Sequence, residues 1–153
     1  CSKNFGLYRE RTGALLVLAR GAEQARIAGS QAASAVRSLW SMPPDHGAAV
    51  VAAILVDQGF RALWESELAV MRDRIHGLRD QLVNALSTVG AGDFSFIAQE
   101  RGMFSFLGLS PTQVGRLREE YSIYLVDSSR INVAGLSHDN LDYVSDASRS
   151  VCS

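Results

Sequence analysis

The chain has 153 residues, of which 47% are hydrophobic and 20% charged, a composition that can bury a core and excludes a disordered segment. Lys+Arg total 15 against Asp+Glu 16, for a net charge of -1 and a pI near 6.3, so nucleic acid and anionic membrane surfaces are not expected partners. The basic residues divide unevenly: Lys3 is the single lysine and the other fourteen are arginines. The arginine excess is a bias of composition, but Lys3 stands out, because an amine can lose its proton and act as a nucleophile where a guanidinium cannot. Composition alone leaves Lys3 open as a reactive amine or as a leftover surface charge. Length alone suggests about one domain.

In chain order, residues 1–13 read as a loop rich in Gly, Ser, Asn and charge. Ala14 to Ala19 is a continuous apolar run, expected as a strand buried on both faces. A helix follows from Ala22 to Leu39, then a break at Ser41-Met42-Pro43-Pro44-Asp45-His46-Gly47, where paired prolines cannot continue it. Gly47 to Gly59 is expected as a buried helix, apolar nearly all round. From Phe60 an amphipathic helix carries the stripe Phe60, Leu63, Trp64, Leu68, Met71, Ile75, Leu78, Leu82, Leu86 and Val89. Its Arg and Glu residues form a solvated face with pairs such as Arg61 with Glu65, and Trp64 reads as core. Gly90-Ala91-Gly92-Asp93 ends it.

Period-two patterns predict strands at Phe94–Ile97 and Met103–Phe106, with two more at Tyr124–Val126 and Arg130–Val133. Ser110-Pro111 opens a helix to about Tyr121, and Ser137 to Asn140 caps a last helix through Val151. The two cysteines, Cys1 and Cys152, stand at the two ends without metal-ligand spacing or a disulfide framework, so no metal site is expected and a reducing cytoplasm is the default. The apolar runs are too short to span a bilayer.

One stretch carries chemistry. In Ser2-Lys3-Asn4-Phe5-Gly6-Leu7-Tyr8-Arg9-Glu10-Arg11-Thr12-Gly13, an amine and a guanidinium lie eight residues apart on a glycine-containing loop. Together they suit an aldehyde that carries a phosphate: the amine bonds the aldehyde and the guanidinium forks onto the phosphate. This string resembles the cofactor-lysine segment of the aspartate and aromatic amino-acid aminotransferases, fold type I pyridoxal-phosphate enzymes. Trp40 to Gly47 resembles that family's inter-subunit turn, and Arg101-Gly102-Met103-Phe104-Ser105-Phe106 its small-domain strand. Leu117 to Tyr121 and Ser129-Arg130-Ile131-Asn132-Val133-Ala134-Gly135-Leu136 resemble its last blocks, in order and spacing.

The resemblance implies an α/β fold class, with the end of the pyridoxal-phosphate-transferase large domain in residues 1–45 and an α+β C-terminal small domain with a long connecting helix in 46–153. It implies that Lys3 bonds pyridoxal 5'-phosphate and then moves the substrate proton, that Arg11 holds the cofactor phosphate, and that Arg130 grips the substrate α-carboxylate. Arg37 would take a second carboxylate in the neighbouring subunit's site, and Phe104 would line the substrate pocket. Implied partners are amino-acid and 2-oxo-acid substrates and a second copy of the parent chain as a homodimer. Two departures are visible: Leu39-Trp40-Ser41-Met42 stands where the family more often has small polar and Tyr positions, and the family's chains carry a long N-terminal part that this sequence does not contain. The reading is therefore the C-terminal fragment of such a transaminase, itself inactive when alone. The rival is a non-catalytic remnant or a small-domain interaction module.

Overall fold

The computed structural model describes residues 1–152. It is helix-rich with one small sheet and divides into two compact units, Cys1–Leu68 and Ala69–Ser153, each described by itself below. The first unit contains the loop 1–13, α1 (Ala22–Trp40), α2 (His46–Val56) and the start of α3 (Gln58–Thr88). Gly29 and Ser30 do not interrupt α1, since the Ala-rich flanks carry the helix through them and the Ser30 hydroxyl is accommodated by donating to the Ile27 carbonyl at 2.8 Å. Asp57 separates α2 from α3, and its carboxylate accepts the Phe60 amide at 2.9 Å as an N-terminal cap.

Two expectations for this unit are overturned. Residues 14–19 form no strand: the run is extended but unpaired, with Leu15 80%, Leu16 84% and Leu18 100% exposed. A strand is a property of a pair, and among the described residues no strand lies beside this run to bond it. The helix α2 is not buried either. Only Gly47 is buried and Val50, Val51 and Ile54 are half-buried, while Val56 is 84% exposed, because an all-apolar helix is buried only if elements pack on every side of it.

The second unit holds the rest of α3, then α4 (Phe96–Gln99), β1 (Phe104–Phe106), α5 (Pro111–Tyr121), β2 (Arg130–Asn132), a 3-10 turn (Val133–Gly135) and α6 (His138–Cys152). Its core gathers Leu78, Leu82 and Leu86 of α3 with Ile97, Val114, Leu117, Val133 and Leu141. The apolar stripe of α3 is thus buried only in its C-terminal half; Phe60, Leu63 and Met71 are exposed. The start of α5 follows its sequence signal. The Ser110 hydroxyl accepts the Gln113 amide at 3.3 Å while the Gln113 side chain accepts the Ser110 amide at 2.8 Å, a closed capping box.

Strands are fewer than the alternation suggested. Phe94–Ile97 turns into α4: the Asp93 carboxylate accepts the Ser95 amide at 2.9 Å, which holds that carboxyl below its usual range, and Phe94 and Ile97 bury together three residues apart. The operative period there is a helical three rather than two. Tyr124–Val126 keeps its alternation but has no partner strand. The sheet that remains is a two-stranded antiparallel pair, with Phe104 opposite Asn132, Ser105 opposite Ile131 and Phe106 opposite Arg130.

Candidate active site

The loop that carries Lys3 is held by contacts from three directions. Gly6 takes φ 68°, the left-handed conformation glycine adopts without a Cβ penalty, and the Leu7 amide closes the turn onto the Cys1 carbonyl at 3.2 Å. The Phe5 ring stacks on Trp64 with centroids 4.7 Å apart and planes 11° from parallel, while Trp64 Nε1 donates to the Asn4 carbonyl at 2.7 Å. Trp64 is therefore not a core residue of the stripe, as the helical spacing suggested. It is the anchor of the residues that flank Lys3, using its ring for packing and its N–H for the backbone.

The other anchor is the start of α2. His46 Nδ1 donates to Glu10 Oε2 at 3.0 Å, and Gly47 is buried against the turn at 10–12. A Cβ at position 47 would overlap Thr12 Oγ1 and lie 2.7 Å from Glu10 Cβ, so the close approach requires glycine. Replacing Gly47 by alanine is expected to destabilise the protein by about 1–3 kcal/mol and to loosen the 1–13 loop first. Limited proteolysis checks this: cleavage within that loop should accelerate before cleavage elsewhere.

Within this loop, Lys3 and Arg11 converge on Tyr8. The Lys3 Nζ sits 5.4 Å from the Tyr8 ring centroid, and Arg11 Nη1 donates to the Tyr8 carbonyl at 3.0 Å. Arg11 itself has φ 51°. Both cations are exposed and, among the described residues, neither has a carboxylate partner. By contrast Arg61, Arg72, Arg79, Arg116 and Arg118 each hold one. An amine and a guanidinium in one loop, neither paired with a carboxylate among the described residues, are donors of the kind an anionic ligand takes. Arg37 lies in the last turn of α1, exposed and with no side-chain partner among the described residues.

In the second unit, β1 and β2 bring Phe104 and Arg130 together. Residues 104, 106, 130 and 132 share the exposed face of the pair, and Arg130 is the diagonal neighbour of Phe104 across the ladder. The Arg130 guanidinium carbon lies 4.8 Å from the Phe104 ring centroid, and no carboxylate occupies it among the described residues. The residue before it, Ser129, is buried at φ 60° and accepts the Leu107 amide at 3.0 Å, extending the ladder at its edge.

Comparison with known proteins decides the family. The model of the aminotransferase class I and II family matches residues 1–147. The chain belongs to the aminotransferase class I and II family. It is 53% identical, over 99% of its length, to an aromatic-amino-acid aminotransferase of Pseudomonas aeruginosa, of which it covers 38%. It is 52% identical over 141 residues to an Escherichia coli aspartate aminotransferase, covering 92% of this chain and 36% of that one. Among solved structures it resembles the Burkholderia pseudomallei aromatic-amino-acid aminotransferase covalently bound to pyridoxal phosphate, with a TM-score of 0.85 and 47% identity over 99% of this chain and 38% of the other. The chain thus spans little more than a third of the length of these relatives.

One residue of this aminotransferase chain was hidden within the expected solvated face of the long helix. Arg79 is 1% exposed. Its Nη1 donates to the Ile97 carbonyl at 3.2 Å, to Glu100 Oε2 at 3.3 Å and to Ser105 Oγ, and its Nη2 donates to the Gly102 and Phe104 carbonyls at 2.8 Å each. A signal was present: Arg79 lies four residues after Ile75 and three before Leu82, on the apolar stripe itself. No group of three or more His, Cys, Asp or Glu among the described residues could hold a metal, and no single described helix is long and apolar enough to cross a membrane.

Proposed function

We propose that this chain is the C-terminal part of a pyridoxal-phosphate-dependent aminotransferase that moves an amino group from aspartate or an aromatic amino acid to 2-oxoglutarate. The observation that carries the reading is membership of the aminotransferase family over residues 1–147, supported by Lys3 and Arg11 of the 1–13 loop each contacting Tyr8. That donor set fits a phosphorylated aldehyde: an amine and a guanidinium in one loop, neither with a carboxylate on it among the described residues. Bound there, pyridoxal phosphate would supply an electron sink that makes a substrate Cα–H acidic.

The chain's own residues would do the rest. Lys3 would hold the cofactor through its amine, and its Nζ would move a proton at the substrate Cα. Arg11 would hold the cofactor's phosphate. Arg130 grips the α-carboxylate in a two-pronged hydrogen bond, which fixes the orientation of the Cα–H bond, and Phe104 packs beneath that guanidinium and lines the pocket. Arg37 takes the second carboxylate of aspartate, glutamate or their oxo-acids, in the site of a partner subunit. The parent is read as a cytoplasmic homodimer, with residues 1–45 closing its large domain and 46–153 forming its small one.

Amino transfer is the direct test. The full-length polypeptide that carries this chain should convert aspartate or phenylalanine, with 2-oxoglutarate, to the corresponding oxo-acid and glutamate, and failure with both donors would overturn the reading. Arg37→Leu is expected to lower kcat/KM for aspartate by roughly ten- to a hundredfold, the worth of hydrogen bonds to a charged group, while phenylalanine is affected much less. Equal losses for both substrates would remove Arg37 from that role.

A further inference from the structure

The two-stranded sheet that carries Phe104 and Arg130 is only three residues long on each side. A ribbon that short is marginal by itself and needs an external brace. The brace is visible on its buried face. Ser105 is 1% exposed, pointing inward between two outward-facing phenylalanines, and its hydroxyl accepts from Arg79. The same guanidinium takes the Phe104 and Gly102 carbonyls, and through Ile97 and Glu100 it ties down the turn that leads into β1. All five acceptors come from residues 97–105, so one side chain fixes the approach, the turn at Gly102 (φ 84°) and the first residue of the strand.

We infer that Arg79 is a positioning residue for substrate binding: by holding the Phe104 carbonyl and Ser105 from behind, it sets the Phe104 ring beneath the Arg130 guanidinium and so aims Arg130 at the substrate carboxylate. This rests on the reading of Arg130 as the carboxylate grip. A core aliphatic residue would fill the same space but could not satisfy three carbonyls, a hydroxyl and a carboxylate converging from one segment. The guanidinium's flat fork also fixes their directions, where a lysine ammonium would act as a single point charge. A small shift of Phe104 is transmitted to Arg130 because their contact is a packed ring under a planar cation.

The test uses the full-length holoenzyme and four variants: Arg79→Lys, Ser105→Ala, Phe104→Leu and Arg130→Ala. Ser105→Ala removes one acceptor of the clamp while keeping its charge and volume, and serves if Arg79→Lys fails to fold. The expected result is a rise in KM for amino-acid substrates of roughly tenfold in Arg79→Lys, from misaligned rather than missing contacts, with kcat and the cofactor's absorption spectrum changed far less. Ser105→Ala should shift KM in the same direction by a smaller factor. Because Arg79 acts through Phe104, the KM effects of Arg79→Lys (or Ser105→Ala) and Phe104→Leu should be less than additive when combined. An unchanged KM in both clamp variants, or fully additive effects, beside a raised KM in Arg130→Ala would overturn the positioning role alone. An unchanged KM in Arg130→Ala would overturn the carboxylate assignment, and the positioning role with it.

Discussion

Replacing Lys3 by arginine is expected to reduce amino transfer by the full-length enzyme by at least roughly 10²–10⁴-fold, the share ordinarily carried by a positioned proton-transfer group. Arginine keeps the positive charge and can still lie over the Tyr8 ring, where the Lys3 amine sits 5.4 Å from the centroid. It cannot release a proton near neutral pH, nor can it present a free amine to an aldehyde. The fold should be untouched, since Lys3 is exposed and the loop is held by Trp64, Glu10 and Gly47 rather than by the lysine. Thermal melting should therefore coincide with that of the parent while turnover is lost. Substantial activity in Lys3→Arg would remove Lys3 from the chemistry.

The largest loss of stability is expected at Arg79. Arg79→Met keeps most of the apolar stem but leaves Ser105 Oγ and the carbonyls of Ile97, Gly102 and Phe104 facing a side chain that cannot donate. Glu100, being one-third exposed, can turn to water and contributes less. Stranding several buried acceptors at once should cost about 3 kcal/mol, read as a lower denaturant midpoint at an unchanged slope. A loss no larger than that of an exposed control such as Arg72→Met would show that the clamp contributes nothing measurable, Arg72 being paired only with its exposed neighbour Asp73.

These two residues also mark how far the sequence could be read. Signals that act locally were legible: Ser110-Pro111 places the start of α5, Pro43-Pro44 the gap before α2, and Gly90 the end of α3. Strands were not, because alternation describes a segment and a strand needs a neighbour; of four expected strands after α3, only those at 104–106 and 130–132 found one another. Even there alternation did not say which face is buried. Ser105 points into the core and the phenylalanines point out, since a buried guanidinium on α3 waits for the hydroxyl. Arg79 itself was misread for a simple reason: polar residues on an amphipathic helix are normally solvated, and only a set of acceptors from elsewhere in the chain can make burial of an arginine tolerable.

The candidate site residues were named from the string and the resemblance, and the contacts around them from neither. The string from Ser2 to Gly13 suggested an amine and a guanidinium that could reach one ligand from two sides; in the fold each contacts Tyr8, Lys3 at its ring and Arg11 at its carbonyl. The contact of Phe104 with Arg130 could not be deduced from spacing, because it depends on the register of two strands separated by α5. Trp64 lay inside a regular apolar stripe, and nothing in that stripe distinguishes a ring packed in a core from one stacked on Phe5.

The most direct test of the central claim is borohydride reduction of the full-length polypeptide after incubation with pyridoxal phosphate, followed by peptide mapping. The account predicts a pyridoxyl group fixed on Lys3 and absent from the Lys3→Arg variant. A protein that transaminates but carries the label on another lysine, or on none, would contradict it.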